Sequence, residues 1–266
     1  MSIGIIRWNA KKLARLVTAL IPNSSRSKYF RVLTYHNFDL STNRSPFTIS
    51  RSDFERQIRF LAESGIGITK KELLDPEIWD LPNIGRVIVT IDDGHESNLR
   101  HAIPILNRYN IGAILFVVPS WIGSEGFLNN NDILQISKNG FLIGSHAMTH
   151  RLLASLSYES QFDEAQFSKK ILEDITGASV TTFAYPYGTQ DAFNSSTRTA
   201  LANAGYRIAF TSQHGAIAPG LDKLTLPRIK IESGDPFWVF RRACTGSLDR
   251  WRYIDELLTF MQRPPR

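Results

Sequence analysis

Residues 87–94 read Val-Ile-Val-Thr-Ile-Asp-Asp-Gly and give the clearest indication of the fold. The first five of these residues are β-branched and mostly apolar, which is typical of a strand buried on both faces. Two acidic residues and a glycine follow directly, at the carboxyl end of that strand. Chemistry gathers at the carboxyl ends of strands in parallel α/β folds, so Asp92 and Asp93 are candidate functional residues.

Four more runs of this kind alternate with helical patterns along the chain. They predict buried strands at Arg31–Tyr35, Ala113–Val118, Leu142–Gly144 and Thr182–Ala184. The amphipathic patterns between them predict helices at Ser52–Ser64, Ser97–Tyr109, Asn131–Asn139 and Tyr158–Thr176. For the first helix we expect a capping-box start at Ser52 and an end at Gly65. The alternation predicts a parallel sheet with helices outside it, either doubly wound or closed as a barrel.

The composition excludes several other classes of protein. Of the 266 residues, 42% are hydrophobic and 21% are charged, which is the balance of a globular domain rather than of a disordered chain. The single cysteine, Cys244, excludes an internal disulfide framework and a multi-cysteine zinc site. The net charge of +6 comes from scattered basic residues without a nucleic-acid-binding module, so no nucleic-acid partner is expected.

Residues 1–27 are expected to form a basic amphipathic helix and a linker (residues 23–27), ahead of one catalytic domain over residues 28–266. Apolar residues recur on one side of the helix and basic residues fall largely on the other: Ile6, Leu13, Leu16, Val17, Leu20 and Ile21 against Arg7, Lys11, Lys12 and Arg15. We expect the apolar stripe to pack on the domain. The alternative is a peripheral contact between residues 1–22 and an anionic membrane face.

Arg15 also bears on where the protein is located. It interrupts the apolar stretch, and no small-residue cleavage site follows Pro22, so a secretory signal peptide is not predicted. No apolar run reaches the roughly 18 residues that a membrane-spanning helix needs. We therefore expect a cytoplasmic protein, peripheral to the inner membrane face if residues 1–22 bind lipid.

Polar residues also follow the other predicted strands. His36 follows the first strand, His146 and His150 follow the strand that ends at Gly144, and residues 185–188 follow the next strand. Because the carboxyl ends of parallel strands meet at one edge of a sheet, we expect these side chains to share one rim.

The spacing of two histidines indicates a metal site at that rim. His146 and His150 are four residues apart, so on a helical turn their imidazoles would face the same way. Two nitrogen ligands and one carboxylate, with a position left for water, are the ligand set of a catalytic zinc site. Side chains of successive residues at a strand end diverge, so one of Asp92 and Asp93 is expected to bind metal and the other to act as a base.

Three of these stretches give the sequence a resemblance to a known family. TIDDG at residues 90–94, HAMTH at residues 146–150 and FAYPYG at residues 183–188 stand in the order of the motifs of the polysaccharide deacetylases. The chain resembles these NodB-like carbohydrate esterases of family four from about Val32 to Ile231. The resemblance implies a single-domain α/β fold of the NodB-homology type, a distorted (β/α) barrel with about seven parallel strands.

The resemblance also implies a role for each matching residue. Asp92 corresponds to the general base, and Asp93, His146 and His150 correspond to the ligands of a divalent metal ion, most often Zn²⁺. The backbone N–H of Tyr187 corresponds to the donor that stabilises an oxyanion. These roles agree with elementary chemistry, in which a metal-activated water and a carboxylate base attack an acetyl carbonyl.

The sequence departs from the family pattern at two points. Many relatives take a general-acid histidine from a late motif, and no equivalent stands between Leu226 and Ile231. His36 and His214 are the candidates for this role, and relatives with a similar third motif favour His36. Ala184 stands where many relatives carry an arginine that orients the base, so we expect Arg228 to supply that cation.

Together, the motifs and the family resemblance predict a metal-dependent hydrolase that removes N-acetyl groups from an N-acetylated saccharide or glycoconjugate. Two alternatives stay open: a sugar O-acetyl esterase with the same site, and a catalytically silent glycan-binding module. The intact set of aspartates and histidines argues against the silent module. Trp121, Trp238 and Phe47 are candidate platforms for sugar rings.

Overall fold

The stretch Val87–Ile91 forms an interior strand of one sheet. In the computed structural model, which describes residues 3–20, 29–39, 45–79 and 85–257, this strand is buried along its whole length. Val87, Val89 and Ile91 pack into the larger apolar cluster, and Ile88 packs into the smaller one on the opposite face. Both faces of the strand are therefore covered, as its β-branched sequence predicts.

The described part of the chain forms nine strands, five of which the sequence pattern predicts. The strands are β1 (Arg31–Tyr35), β2 (Asn37–Asp39), β3 (Thr48–Ser50), β4 (Val87–Ile91), β5 (Ala113–Val117), β6 (Leu142–Ser145), β7 (Thr182–Ala184), β8 (Ile208–Phe210) and β9 (Ile229–Lys230). Strands β2 and β3 form a separate parallel pair. The sequence pattern missed β8 and β9, because three and two residues are too few to establish a period.

Seven strands form one parallel sheet in the order β8-β7-β6-β5-β4-β1-β9. Residues 226–230 bring its two edges together. Leu226 bridges to Phe210 in β8, and three residues later Ile229 pairs with Leu33 in β1. The sheet therefore curls into the distorted barrel of about seven strands that the family resemblance implied, and this prediction is confirmed.

Helices cover the outside of the sheet. The helices are α1 (Ile3–Leu20), α2 (Arg51–Glu63), α3 (Lys70–Leu73), α4 (Ile103–Arg108), α5 (Asn130–Lys138), α6 (Tyr158–Thr176), α7 (Ser195–Asn203), α8 (Phe237–Thr245) and α9 (Trp251–Leu257). The predicted bounds of α2, α5 and α6 agree with these to within one residue. The helix predicted over Ser97–Tyr109 is divided into a π-helical segment, Asn98–Ala102, and α4.

The capping residue of α2 differs from the prediction. Ser50, not Ser52, is the cap, and its hydroxyl accepts a hydrogen bond from the Asp53 N–H at 3.1 Å. Ser50 has an extended backbone, as a helix cap requires, whereas Ser52 is already inside the helix.

Helix α1 packs only part of its predicted apolar stripe on the domain. Leu16 contacts the core beside the buried Arg15, Thr18 and Ala19, while Leu13 and Leu20 lie on the exposed side. The physical reason is a set of polar partners for the Arg15 guanidinium, which no period along the helix can reveal. The linker predicted at residues 23–27 lies outside the described residues.

Candidate metal centre and active site

The structure brings together the three predicted metal ligands at the carboxyl edge of the sheet. Asp93 Oδ1 lies 3.5 Å from His146 Nε2 and 3.8 Å from His150 Nε2. One ligand atom from each side chain lies within 4.8 Å of the others. Two imidazole nitrogens and a carboxylate oxygen at this spacing can hold one metal ion.

The loop that carries the two histidines is a turn with left-handed residues, not the helical turn predicted from their spacing. Ala147 and His150 have φ of 62° and 57°. Asp93 and Tyr187, which border the same site, also have positive φ, at 75° and 62°. Non-glycine residues rarely adopt this conformation, and such strain clusters at functional sites.

The side chain of His146 has a defined tautomer. Its Nδ1 lies 2.7 Å from the carbonyl oxygen of Ala184, at the end of β7, and a carbonyl can only accept a hydrogen bond. Nδ1 therefore carries a proton, and Nε2, which faces Asp93, is the ring nitrogen that can bind a metal ion. Such a bond to the far nitrogen of a histidine commonly fixes the orientation of a metal ligand.

Asp92 turns away from the ligand cluster toward Arg228, in the barrel interior. Arg228 donates from Nη1 to Asp92 Oδ1 at 2.7 Å and from Nη2 to Asp92 Oδ2 at 2.8 Å. Arg228 Nε also donates to the Thr211 carbonyl at 2.9 Å, and Nη1 to the Thr90 hydroxyl at 3.2 Å. The two side chains are 1% and 3% exposed, so the cation expected from Arg228 stands against Asp92 inside the fold.

This pairing decides the protonation state of Asp92. Burial alone would raise the pKa of the carboxyl, but the charges of Arg228 and His146 and the hydrogen bonds from Arg228 lower it to about 2. Asp92 is therefore an ionised carboxylate at neutral pH. Its Oδ2 also lies 4.0 Å from His146 Nε2, next to the ligand cluster.

His36 lies at the same rim, directly after β1. Burial lowers the pKa of His36, and the charges of Asp93 and Asp92 act in the opposite direction. Asn98 donates a hydrogen bond to the His36 carbonyl at 2.7 Å. The other candidate acid, His214, is buried in the loop after β8.

Aromatic rings surround the two ends of the site. The exposed Phe47 ring lies 5.0 Å from the His36 ring, centroid to centroid. Tyr187 and Trp121 lie 5.0 Å and 4.9 Å from His150 on the other side. Trp238 does not join them; it lies on α8, where it lines a separate cavity with Arg241 and Arg242.

The backbone N–H of Tyr187 has no acceptor among the described residues. The Tyr187 carbonyl accepts from the Ser212 hydroxyl at 2.7 Å, and Gly188 N–H donates to Pro186 at 2.7 Å. The positive φ of Tyr187 turns its peptide out of a regular ladder, so this donor is available to a ligand at the rim.

Sequence reasoning missed the residue that braces the histidine loop. Glu164, buried on α6, accepts hydrogen bonds from the Thr149 N–H at 2.9 Å and from the Thr149 hydroxyl. A second brace joins the Ser145 hydroxyl, which accepts from the Ala147 N–H at 3.2 Å, to Ser168 on α6 at 2.7 Å.

A sequence signal for this brace does exist. The buried face of α6 contains polar residues at helical spacing: Gln161, Glu164 and Ser168. Polar side chains at positions that periodicity assigns to the core are buried only with hydrogen-bond partners. Such a stripe predicts a neighbouring loop with unsatisfied donors, although it does not say which loop.

Known proteins with a similar sequence are polysaccharide deacetylases. The profile of the polysaccharide deacetylase family matches residues 82–209. The Bacillus subtilis (strain 168) protein YxkH, provisionally named a polysaccharide deacetylase, is 27% identical over 205 residues, 76% of this chain and 71% of its own length. The poly-beta-1,6-N-acetyl-D-glucosamine N-deacetylase of Staphylococcus aureus (strain MRSA252) is 28% identical over 216 residues, 75% of this chain and 73% of its own length.

A solved structure gives the same result for the fold. A polysaccharide deacetylase from Bacillus cereus superposes with a TM-score of 0.71 at 24% identity, over 82% of this chain and 69% of that chain. The matched range of the family profile contains all three motifs that surround the ligand cluster, whereas His36 and Arg228 lie outside it. The profile match, the related sequences and the shared fold thus agree with the resemblance of this chain to the polysaccharide deacetylases.

Proposed function

We propose that this protein is a metal-dependent hydrolase that removes acetyl groups from the amide nitrogen of an N-acetylated saccharide. The observation that carries the proposal is the arrangement at the rim, where three metal-ligand side chains stand next to an ionised carboxylate, Asp92. The Staphylococcus aureus relative named as an N-deacetylase of poly-beta-1,6-N-acetyl-D-glucosamine supports an amide on a sugar polymer as the substrate.

The donor set at the rim suits a divalent metal ion such as Zn²⁺. Asp93, His146 and His150 would hold it, with His146 Nε2 free for ligation because Nδ1 is bonded to Ala184. When bound, such an ion supplies Lewis acidity, which makes water a better nucleophile at neutral pH and polarises the acetyl carbonyl.

Asp92 is suited to accept the proton of the attacking water. It is ionised at neutral pH, and the two hydrogen bonds from Arg228 hold the plane of its carboxylate. Arg228 acts here as a positioning residue, because it touches the base and not the reacting atoms. A base held at one orientation removes part of the entropic cost of the reaction.

Two further groups would complete the hydrolysis. The Tyr187 N–H would donate to the carbonyl oxygen as that oxygen gains negative charge. His36, at the same rim, would donate a proton to the leaving nitrogen. Water thus adds to the carbonyl carbon, the C–N bond breaks, and acetate and a free amine leave.

The rim also favours a sugar ligand. Phe47 and Tyr187 present exposed rings on opposite sides of the site, beside His36 and His150 respectively. Aromatic faces next to a few placed polar groups are a usual lining for small-molecule sites. The cytoplasmic location expected from the sequence stays a prediction.

Metal content of the purified protein is the first test. We expect about one divalent ion per wild-type chain after loading with zinc, and none in a His146→Ala/His150→Ala variant, because two of three ligands are lost. His101→Ala, a histidine outside the cluster, is the matched control and should retain the ion. A wild-type chain that cannot be loaded with zinc would contradict the proposal and favour the silent glycan-binding module.

Acetate release separates the amide from the ester reaction. With the zinc-loaded enzyme and oligomers of N-acetylglucosamine, His36→Ala should lower kcat about 100-fold, since an amine leaves poorly without a proton. A His36→Ala variant with full activity on an O-acetylated sugar, and a wild type with no activity on the amide, would instead support the esterase.

A further inference from the structure

We propose that helix α1 docks the protein onto the surface of an anionic phospholipid membrane through its outward apolar stripe. The stripe consists of Leu13, Val17 and Leu20, whose side chains are 63%, 53% and 63% exposed. Their spacing of four and three residues places them on one face of the helix. This inference does not depend on the proposed deacetylation, because it concerns a surface away from the ligand cluster.

The outward orientation of this stripe is held by an anchor on the other face of α1. Arg15, which is 2% exposed, donates to the Lys230 carbonyl at 2.8 Å and lies 3.6 Å from Glu232 and 3.3 Å from Asp235. Thr18 and Ala19 are buried beside it. A buried ion pair is costly to break, so α1 cannot readily rotate to bury Leu13 and Leu20 on the domain.

Exposed apolar residues usually occur singly on the surface of a monomer. Three on one face of an amphipathic helix are the pattern of a helix that lies in a membrane interface, with its apolar side among the acyl chains. None of the helices in the described ranges has the length and apolarity to span a bilayer.

The charge of α1 selects an anionic membrane. Besides Arg15, which is buried against the domain, the sequence of the helix contains Arg7, Lys11 and Lys12 and no acidic residue, and the whole chain carries +6. Helix α8 packs against α1 and adds an exposed Trp238 together with Arg241 and Arg242. Tryptophan and basic side chains are favoured at the headgroup level of anionic membranes.

The anchor also sets where the active rim would stand relative to the membrane. The residues that hold Arg15 begin at Lys230, the last residue of β9, and continue to Asp235 beyond the carboxyl edge of the sheet. The N–H of Ser233 in this segment donates to the Pro46 carbonyl at 2.9 Å, next to Phe47 at the rim. Docking through α1 would therefore hold the catalytic edge close to the membrane surface.

Vesicle co-sedimentation of the full chain tests the proposal without any measurement of activity. We expect binding to vesicles of phosphatidylglycerol and phosphatidylcholine, weaker binding at high salt, and little binding to pure phosphatidylcholine. Replacing the stripe, Leu13→Ser/Val17→Ser/Leu20→Ser, should weaken binding about ten-fold or more. These side chains are exposed, so circular dichroism should show an intact fold.

Two further variants make the test sharper. Leu74→Ser/Phe167→Ser/Leu221→Ser removes three other apolar residues of similar exposure and should leave vesicle binding unchanged. Val17→Glu places one negative charge on the stripe and should weaken binding even if the triple serine variant folds poorly.

Several results would overturn the proposal. They are a wild type that binds no anionic vesicle, a stripe variant that binds as well as the wild type, and equal binding to neutral and anionic vesicles. So would a wild-type dimer that the stripe variant converts to monomer, with no vesicle binding, because the stripe would then be an interface between two copies.

Discussion

Asp92 and Arg228 face each other inside the barrel, 136 residues apart in sequence. Neither could stay ionised there alone, because transfer of a single charge from water into the core costs several kcal/mol. The charge of Arg228, with the charge of His146 and the two hydrogen bonds from Arg228, offsets this cost for Asp92 and lowers the pKa of the carboxyl to about 2. The ionised state of Asp92 thus depends chiefly on the guanidinium beside it.

Removing that guanidinium should damage both stability and activity. In Arg228→Met, Asp92 is left buried without its cation, so unfolding free energy should fall by about 3 to 5 kcal/mol. We expect kcat/KM for acetate release to fall at least about 100-fold. Arg228→Lys keeps the charge but loses the paired geometry and should recover part of the loss.

Arg31 provides a matched control for this prediction. It is also a buried arginine, and it donates to both carboxylate oxygens of Asp249, at 3.3 Å and 2.8 Å. Arg31→Met should lower the unfolding free energy but leave kcat/KM near the wild-type value. Equal losses of kcat/KM in Arg31→Met and Arg228→Met would refute a specific role of Arg228.

Among the single elements, α6 holds the loop that carries His146 and His150, two side chains of the candidate metal site. The loop contains two left-handed residues, Ala147 and His150, and such a backbone persists only where its surroundings hold it. Glu164 supplies that restraint through the N–H and hydroxyl of Thr149. A helix with no ligand of its own is therefore part of the site.

Loss of this brace should weaken metal binding more than it weakens the fold. In Glu164→Gln the negative charge is lost, so the charge-assisted hydrogen bonds from the Thr149 N–H and hydroxyl become weaker neutral ones. We expect the zinc dissociation constant to rise about 10- to 100-fold, in the range found for residues that orient ligands. Competition with a chromophoric chelator measures this constant.

Glu159→Gln is the control on the same helix. Glu159 is exposed in the first turn of α6, so its replacement should leave zinc affinity unchanged. Unchanged affinity in Glu164→Gln as well would mean that the loop keeps its shape without α6.

At the scale of the whole molecule, remote segments complete what the central motifs begin. Residues 226–230 close the sheet by contacts to both edges, and they carry Arg228 to the base. The carboxyl end of this segment in turn holds α1, because Lys230 accepts a hydrogen bond from Arg15. Helix α1 is thus joined directly to β9, the strand that closes the barrel.

Breaking this connection should loosen α1 and leave the barrel intact. In Arg15→Met, α1 loses its ion pairs with Glu232 and Asp235 and its hydrogen bond to Lys230. Hydrogen exchange of the amides in residues 12–20 should therefore become about ten-fold faster or more. Exchange in β4 should not change. Leu13→Met, on the exposed face of α1, is the control, and equal protection of α1 in Arg15→Met and wild type would show that Arg15 is not the anchor.

The central part of this protein could be predicted from its sequence. Short apolar runs and helical periods are local features, and they predicted five strands and three helices. The motifs at residues 92–93 and 146–150 located the side chains of the candidate metal site, and the family resemblance pointed to Asp93 among them. The same local patterns predict that the polar residues after the strands share one rim, since parallel strands end at one edge.

Other features depend on contacts between residues that are distant in sequence. The family resemblance led us to expect Arg228 beside Asp92, but its two-point contact across 136 residues, and the brace from Glu164 across 15 residues, are visible only in the folded chain because no local period encodes them. The exposed side of α1 likewise depends on partners of Arg15 that lie 215 residues away. A helical period shows that one side of a helix differs from the other, but the partners that the fold supplies decide which side is buried.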